Sequence, residues 1–273
     1  INQVIETAKS ITADRLHDRI LEHHAKDEIG KIISTFNEMI SRLDISFQQM
    51  KQFSADASHE LRTPLTVMRS QLETAMNSRT SVAEMKKIVA NCLDETIRMT
   101  GIIENLLLLA KGDAGQITMK QEVVDLSSLV RQTYDESVIL ASQKEISVTL
   151  EEITSISILG DAERLRQMLL NLIDNSIKYT PECGRIHLSL STDDGNAKIV
   201  VADTGIGIPE NEIPRIFNRF YRVDRARSRE MGGTGLGLSI AQWIVHAHGG
   251  NIRVESKLNE GSEFSVLLPL NDR

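Results

Sequence analysis

A chain of 273 residues with 41% hydrophobic content is long and apolar enough for one large packed domain or two ordinary ones, and disorder is not its default state. Only 4% is aromatic, with one tryptophan, so the core must be built from Ile, Leu, Val, Met and Ala, which suits helical packing. A formal net charge of −7 supplies no basic footprint and argues against nucleic acid as a partner. Cys92 and Cys183 lie far apart, at neither disulfide-framework nor metal-site spacing, and are expected to be buried thiols. The longest aliphatic run, Leu106 to Ala110, is far short of the ~18 residues of a membrane span. No signal peptide is visible, and the chain opens on Ile1 in mid-pattern, as an excised part of a longer protein does.

The first organised element is a heptad stripe at Ile29, Ile33, Phe36, Ile40, Leu43, Phe47 and Met50, spaced four and three like a coiled-coil seam. It continues through Leu61, Leu65, Met68 and Leu72 to the polar segment Asn77-Ser78-Arg79-Thr80. A second seam runs Val82, Met85, Val89, Cys92, Thr96, Met99, Ile103, Leu106 and Ala110, so the two stretches form a long antiparallel helical hairpin, and two hairpins make a four-helix bundle. Lys111-Gly112-Asp113-Ala114-Gly115 breaks the pattern and is the linker candidate. Beyond it, strands are predicted at 146–150, 156–159, 185–190, 198–202, 251–256 and 263–268, and helices at 126–143, 162–179 and 236–248. This half reads as an α+β sandwich, with helices on one face of a mixed sheet.

In the helical half, Ser58-His59-Glu60-Leu61-Arg62-Thr63-Pro64 places a proline inside a helical pattern, which kinks or loosens the helix. His59 is offset from the seam and should face outward, equally consistent with a solvated histidine or with a nucleophile. A neutral imidazole offers a ring lone pair, and Glu60 is a suitable acceptor for the proton on its other nitrogen. Thr63, at i+4, shares the His59 face. Its hydroxyl suits orienting a water or simply bonding back to its own helix.

The second half carries three signals. Asn171 and Asn175 lie one turn apart in an apolar helix, with Lys178 and Tyr179 nearby, either as exposed amides or as ligands of a polar group or Mg²⁺. Asp203-Thr204-Gly205-Ile206-Gly207 follows a strand, as an ordinary turn or as a carboxylate beside a ligand-tolerant loop. Gly232-Gly233-Thr234-Gly235-Leu236-Gly237 opens a helix, where free amides and a positive dipole accept phosphate. Between the loops, Ile216 to Arg222 with Arg225, Arg227 and Arg229 is a solvated basic run or a lid over phosphates.

Taken in order, the histidine segment, asparagine helix, first glycine loop, phenylalanine segment and second glycine loop resemble the sensor histidine kinases of two-component systems. The resemblance covers roughly residues 46 to 270, and Gly261-Ser262-Glu263-Phe264 is similar to the family's last glycine turn. Upstream, Asp27-Glu28-Ile29-Gly30 and Phe36-Asn37-Glu38-Met39 resemble the second helix of a HAMP relay domain.

The resemblance implies a multidomain chain: an all-α HAMP coiled coil at 1–45, a dimerisation and phosphotransfer hairpin at 46–111 in a dimeric four-helix bundle, a linker at 112–116, and at 117–273 an α/β sandwich ATP-binding domain of the kind shared with Hsp90, gyrase and MutL. It makes His59 the phosphoacceptor, Glu60 its acid/base partner and Thr63 the residue associated with phosphatase activity. Asn171 and Asn175 become Mg and phosphate ligands. Lys178 meets phosphate, Tyr179 lies near adenine or ribose, and Asp203 accepts the adenine amino group. Gly205, Gly207, Gly233, Thr234, Gly235, Leu236 and Gly237 line the pocket, and Arg219 helps assemble the autophosphorylation complex. The implied cofactors are ATP and Mg, and the partners a second copy and a response-regulator receiver domain. The implied setting is the cytoplasmic portion of a bacterial inner-membrane receptor. Two other readings stand beside this one: a non-catalytic dimeric relay that binds nucleotide as a switch, and an ATP-driven clamp of the related fold.

Overall fold

The computed structural model describes residues 19–20, 28–77, 81–223 and 233–270. The expected first HAMP helix and most of its connector, Asp27, Arg225, Arg227, Arg229 and Gly232 lie outside the described residues. The chain divides into two compact units, Ile1–Ile88 and Val89–Arg273.

In the first unit the heptad stripe lies on helix α1 (Glu28–Asn77). Ile33 and Ile40 are buried on one face, with Asn37 between them. The Asn37 carboxamide donates to the Ile20 carbonyl at 2.9 Å and accepts from the Ile20 N–H at 3.0 Å, pinning the connector to the helix. Helix α1 runs unbroken through Pro64, which is buried. The expected interruption is therefore confined to the one backbone hydrogen bond a proline cannot donate. Helix α2 (Val82–Asp113) begins at a reciprocal cap: Ser81 Oγ accepts from the Glu84 N–H at 3.3 Å, and a Glu84 carboxylate oxygen accepts from the Ser81 N–H at 2.8 Å. These bonds hold the Glu84 carboxyl below its usual range. The helix extends to Asp113, two residues into the expected linker.

Seam positions on both helices stay open in the single chain. Leu43 is 51% exposed, Leu65 51%, Val82 76% and Val89 57%.

The second unit holds a five-stranded mixed sheet, in the order β2 (Ser147–Ile153), β4 (Arg185–Asp193), β5 (Asn196–Asp203), β7 (Gly261–Pro269) and β6 (Asn251–Lys257). Strands β2 and β4 are parallel and the other neighbours antiparallel. A separate ribbon pairs β1 (Glu122–Asp125), unforeseen in the sequence, with β3 (Ser157–Gly160). Period-2 alternation sends Ile186, Leu188, Leu190, Ala197, Ile199, Val201, Phe264, Val266 and Leu268 into the core. The helix-period apolar residues of α4 (Ala162–Tyr179) and α5 (Gly237–Ala247), Leu165, Met168, Leu169, Leu172, Ile240 and Ile244, are buried with them. Truncating any one of these large side chains to alanine costs roughly 2–5 kcal/mol. Cys183 is exposed, in a left-handed turn, because the thiol expected in the core falls outside the apolar alternation.

Two helices are capped by aspartate. Asp125 accepts from the N–H groups of Ser127 and Ser128 at the start of α3 (Leu126–Ser142), and bonds from the Ser127 and Ser128 hydroxyls and the Ser128 amide lower its carboxyl to about 2. Asp161 caps α4. Beyond its cap, Asp161 donates its N–H to His248 Nε2 at 3.0 Å, while His248 Nδ1 lies 2.8 Å from the Ile244 carbonyl and donates to it. One neutral imidazole thus ties the end of α5 to the start of α4. We expect His248→Ala to lower stability by about 1–3 kcal/mol, the cost of unsatisfied polar groups, measured by denaturant unfolding; an unchanged midpoint contradicts this tie.

Candidate functional site

Strand β5 ends at Asp203, registered between Ile186 on β4 and Ser262 on β7, so the carboxylate stands at the edge of the sheet beneath α4. Its Oδ1 accepts from the Gly205 N–H at 2.8 Å and its Oδ2 from Ser176 Oγ at 3.2 Å. Burial raises the Asp203 carboxyl above its usual range, while the bonds from Gly205, Ser176 and the Ser262 amide partly hold it down. This carboxylate opens onto a cavity of about 300 Å³.

Along one wall of the cavity lie Asn171, Asn175, Lys178 and Tyr179 of α4, all partly buried. The Asn171 Nδ2 is buried without a hydrogen-bond partner. That orphaned buried donor belongs to a residue that also lines the cavity, and a polar group left so is a cost that function can explain. Lys178 is paired with Asp174 one turn back. At the other side Gly207, Gly233, Thr234, Gly235 and Gly237 line the cavity. Gly235 has φ +72°, and a Cβ there would lie 2.8 Å from the backbone of Phe220, whose N–H donates to the Gly235 carbonyl at 2.8 Å. The phenylalanine segment and second glycine loop are thereby zipped together, and only glycine fits. Helix α5 starts there with no side-chain cap, unlike α3 and α4, and with no acidic residue in its first turn. Its first N–H groups are open to an anion.

Two expected lining residues, Gly205 and Leu236, lie outside the cavity lining, as does Arg219, which was expected at the autophosphorylation complex. Gly205 sits under the pocket floor, where a Cβ would lie 2.6 Å from Asp203 Oδ1 and 2.7 Å from the Tyr179 carbonyl. Leu236 is fully buried in the core and anchors the start of α5. Arg219 pairs with Asp113 of α2 at 2.6 Å, outside the cavity lining.

His59, Glu60 and Thr63 belong to the first unit. His59 is exposed and Glu60 half-buried, while the Thr63 hydroxyl donates to the His59 carbonyl at 3.2 Å, the back-bonding arrangement. Sequence reasoning missed Asn105, Leu258 and Ser262 in the lining. Ser262 was signalled by its glycine turn; Leu258 carried no signal.

The donor set fits a nucleotide. A buried acceptor lies in the same cavity as an orphaned amide and an uncapped helix N-terminus, and two asparagine oxygens suit a hard divalent ion. Among the described residues no group of three or more His, Cys, Asp or Glu side chains forms a metal cluster, and no helix is long and apolar enough to cross a membrane.

Comparison with known proteins agrees. Residues 160–272 match the family described as histidine kinase-, DNA gyrase B-, and HSP90-like ATPase, residues 49–115 the His kinase A phospho-acceptor domain, and residues 1–44 the HAMP domain. The chain belongs to the sensor histidine kinases of two-component systems. It is 34% identical over 267 residues to the signal transduction histidine-protein kinase ArlS of Staphylococcus aureus, covering 97% of this chain and 58% of that relative. Among solved structures it is similar to full-length ShkA in complex with AMPPNP, with 30% identity, TM-score 0.62, and coverage of 82% of this chain and 46% of that one. It also shares its fold with the kinase ThkA, solved in complex with the response regulator TrrA, with 22% identity, TM-score 0.67, and coverage of 90% and 68%.

The Asp203 environment has a measurable signature. A carboxyl raised on folding takes up protons as the protein folds, so its contribution to stability declines as pH rises from about 3.8 through the raised folded value. The nucleotide-free Asp203→Asn variant lacks this decline. Its melting temperature relative to wild type should therefore rise with pH across that window; a pH-independent difference contradicts the burial argument.

Proposed function

We propose that this chain is the signalling portion of a dimeric sensor histidine kinase that phosphorylates His59 from Mg-ATP and passes the phosphoryl group to an aspartate of a response-regulator receiver domain. The observation that carries this reading is one cavity holding a buried carboxylate together with an uncapped helix N-terminus beside an unpartnered asparagine amide, in a chain that also presents an exposed histidine on a long helix.

In this reading Asp203 accepts the adenine amino group and Tyr179 covers the base or ribose. Asn171, Asn175 and the α5 amides hold the phosphates. Bound through Asn171 and Asn175, Mg²⁺ supplies charge neutralisation at the phosphates. A His59 ring nitrogen forms a bond to the γ-phosphorus as the bond to the β-phosphate oxygen breaks, and ADP leaves. Glu60 takes the proton from the other ring nitrogen. Positioning accounts for most of the acceleration.

A second copy completes the helical half. Leu43, Leu65, Val82 and Val89 repeat at seam spacing yet stay exposed in one chain, and burying such a stripe against its twin is the physical route to a bundle. Thr63, once released from the His59 carbonyl, is placed on the histidine's face to orient water for dephosphorylation of the partner. The HAMP match and the 58% coverage of ArlS support placement as the cytoplasmic portion of a membrane receptor.

Incubation with γ-labelled Mg-ATP should give acid-labile, alkali-stable label on wild type and none on His59→Ala. Unlabelled wild type, or an equally labelled variant, overturns the kinase reading.

A further inference from the structure

Helix α2 ends against the ATP-binding half, within the same compact unit. Asn105 lines the nucleotide cavity. Gly112, seven residues on, lies flat against Trp243 of α5, so that any Cβ would collide with the indole. Asp113 pairs with Arg219 at 2.6 Å. Ile102, Asn105, Leu109 and Gly112 are spaced three, four and three apart and share one face, on which Ile102 and Leu109 are each 1% exposed. Asn105 is the polar interruption in that stripe. It is half-buried, and its carboxamide makes no hydrogen bond among the described residues. Its amide is not a buried unsatisfied group, so water reaches it, and a ligand oxygen in the cavity it borders can take the water's place.

Helix geometry decides which end of the cavity it meets. Trp243 lies six residues into α5 from Gly237, about 9 Å at the helical rise, and Asn105 precedes Gly112 by about 10.5 Å. With Gly112 against Trp243, and Asn105 sharing the cavity with Gly237 and Leu238, the two helices run parallel. Asn105 is therefore level with the uncapped N-terminus of α5, the phosphate end.

We propose that Asn105 is a phosphate-side ligand of the nucleotide, supplied by the second helix of the hairpin, so that nucleotide binding and docking of that helix reinforce each other. The inference rests on the nucleotide reading above. The Gly112–Trp243 contact and the Asp113–Arg219 pair hold the helix where Asn105 reaches the cavity, which makes Arg219 a positioning residue.

Calorimetric titration of the full chain with Mg-ADP and Mg-AMPPNP tests it, with thermal melting of the nucleotide-free protein alongside. Asn105→Ala should weaken both ligands roughly tenfold, the effect of one hydrogen bond to a charged group, without lowering the nucleotide-free melting temperature. Asn105→Asp should bind more weakly still, because a carboxylate repels phosphate, and Asn105→Gln should recover part of the affinity. Wild-type affinity in both the Ala and Asp variants overturns the inference and leaves the nucleotide reading standing. Equal losses in Ala and Asp with a lowered melting temperature mark a structural residue and overturn it too. A wild type that binds neither ligand overturns the underlying reading as well.

Discussion

The site is organised around a carboxylate held where water is scarce. Asp203 ends a central strand, and its oxygens are tethered by the Gly205 amide, the Ser176 hydroxyl of α4 and the Ser262 amide of β7. Desolvation pushes its proton affinity up by more than these bonds push it down, which leaves the carboxyl above its usual range. The asparagine helix, the first glycine loop and the final hairpin thus converge on one side chain. Gly261 is packed so tightly on the Asp203 carbonyl that no side chain can replace it.

The opposite end of the cavity is built by omission. Helices α3 and α4 satisfy their first amides with Asp125 and Asp161, whereas α5 begins without a capping side chain. Those amides and the Asn171 donor are polar groups left without a side-chain partner, and the Asn105 carboxamide borders the same cavity. A fold tolerates such a cluster when a bound anion completes it. Tethering the end of α2 beside this cluster, through Gly112 on Trp243, gives the helical hairpin a direct means of sensing whether the nucleotide is there.

Much of this was legible in the sequence where local rules act alone. Helix α4 was read to the residue, because Asp161 caps it and its apolar period is strong. Four of the six predicted strands lie wholly within observed ones, and the other two each begin one residue early, since alternation marks the buried face. Strand β1 escaped because four residues, Glu-Val-Val-Asp, are too few for periodicity to register. Pro64 was given too much weight: a long amphipathic helix absorbs one missing bond. Leu236 and Gly205 sit in the right loops, but which side chain faces ligand and which faces core depends on tertiary packing. Asn105 and Arg219 illustrate the limit most clearly, since their roles come from a helix end meeting a distant element, which no local spacing encodes.

The central claim, that Asp203 reads the base through its exocyclic amino group, is tested most directly by comparing Mg-ADP with Mg-IDP. The two differ in presenting an amino group or a carbonyl oxygen at the same position. A buried carboxylate should accept from the first and repel the second, giving ADP an advantage of at least about tenfold, the size expected when a site built for one hydrogen-bonding group meets an analogue without it. Equal affinities for the two diphosphates would contradict the account.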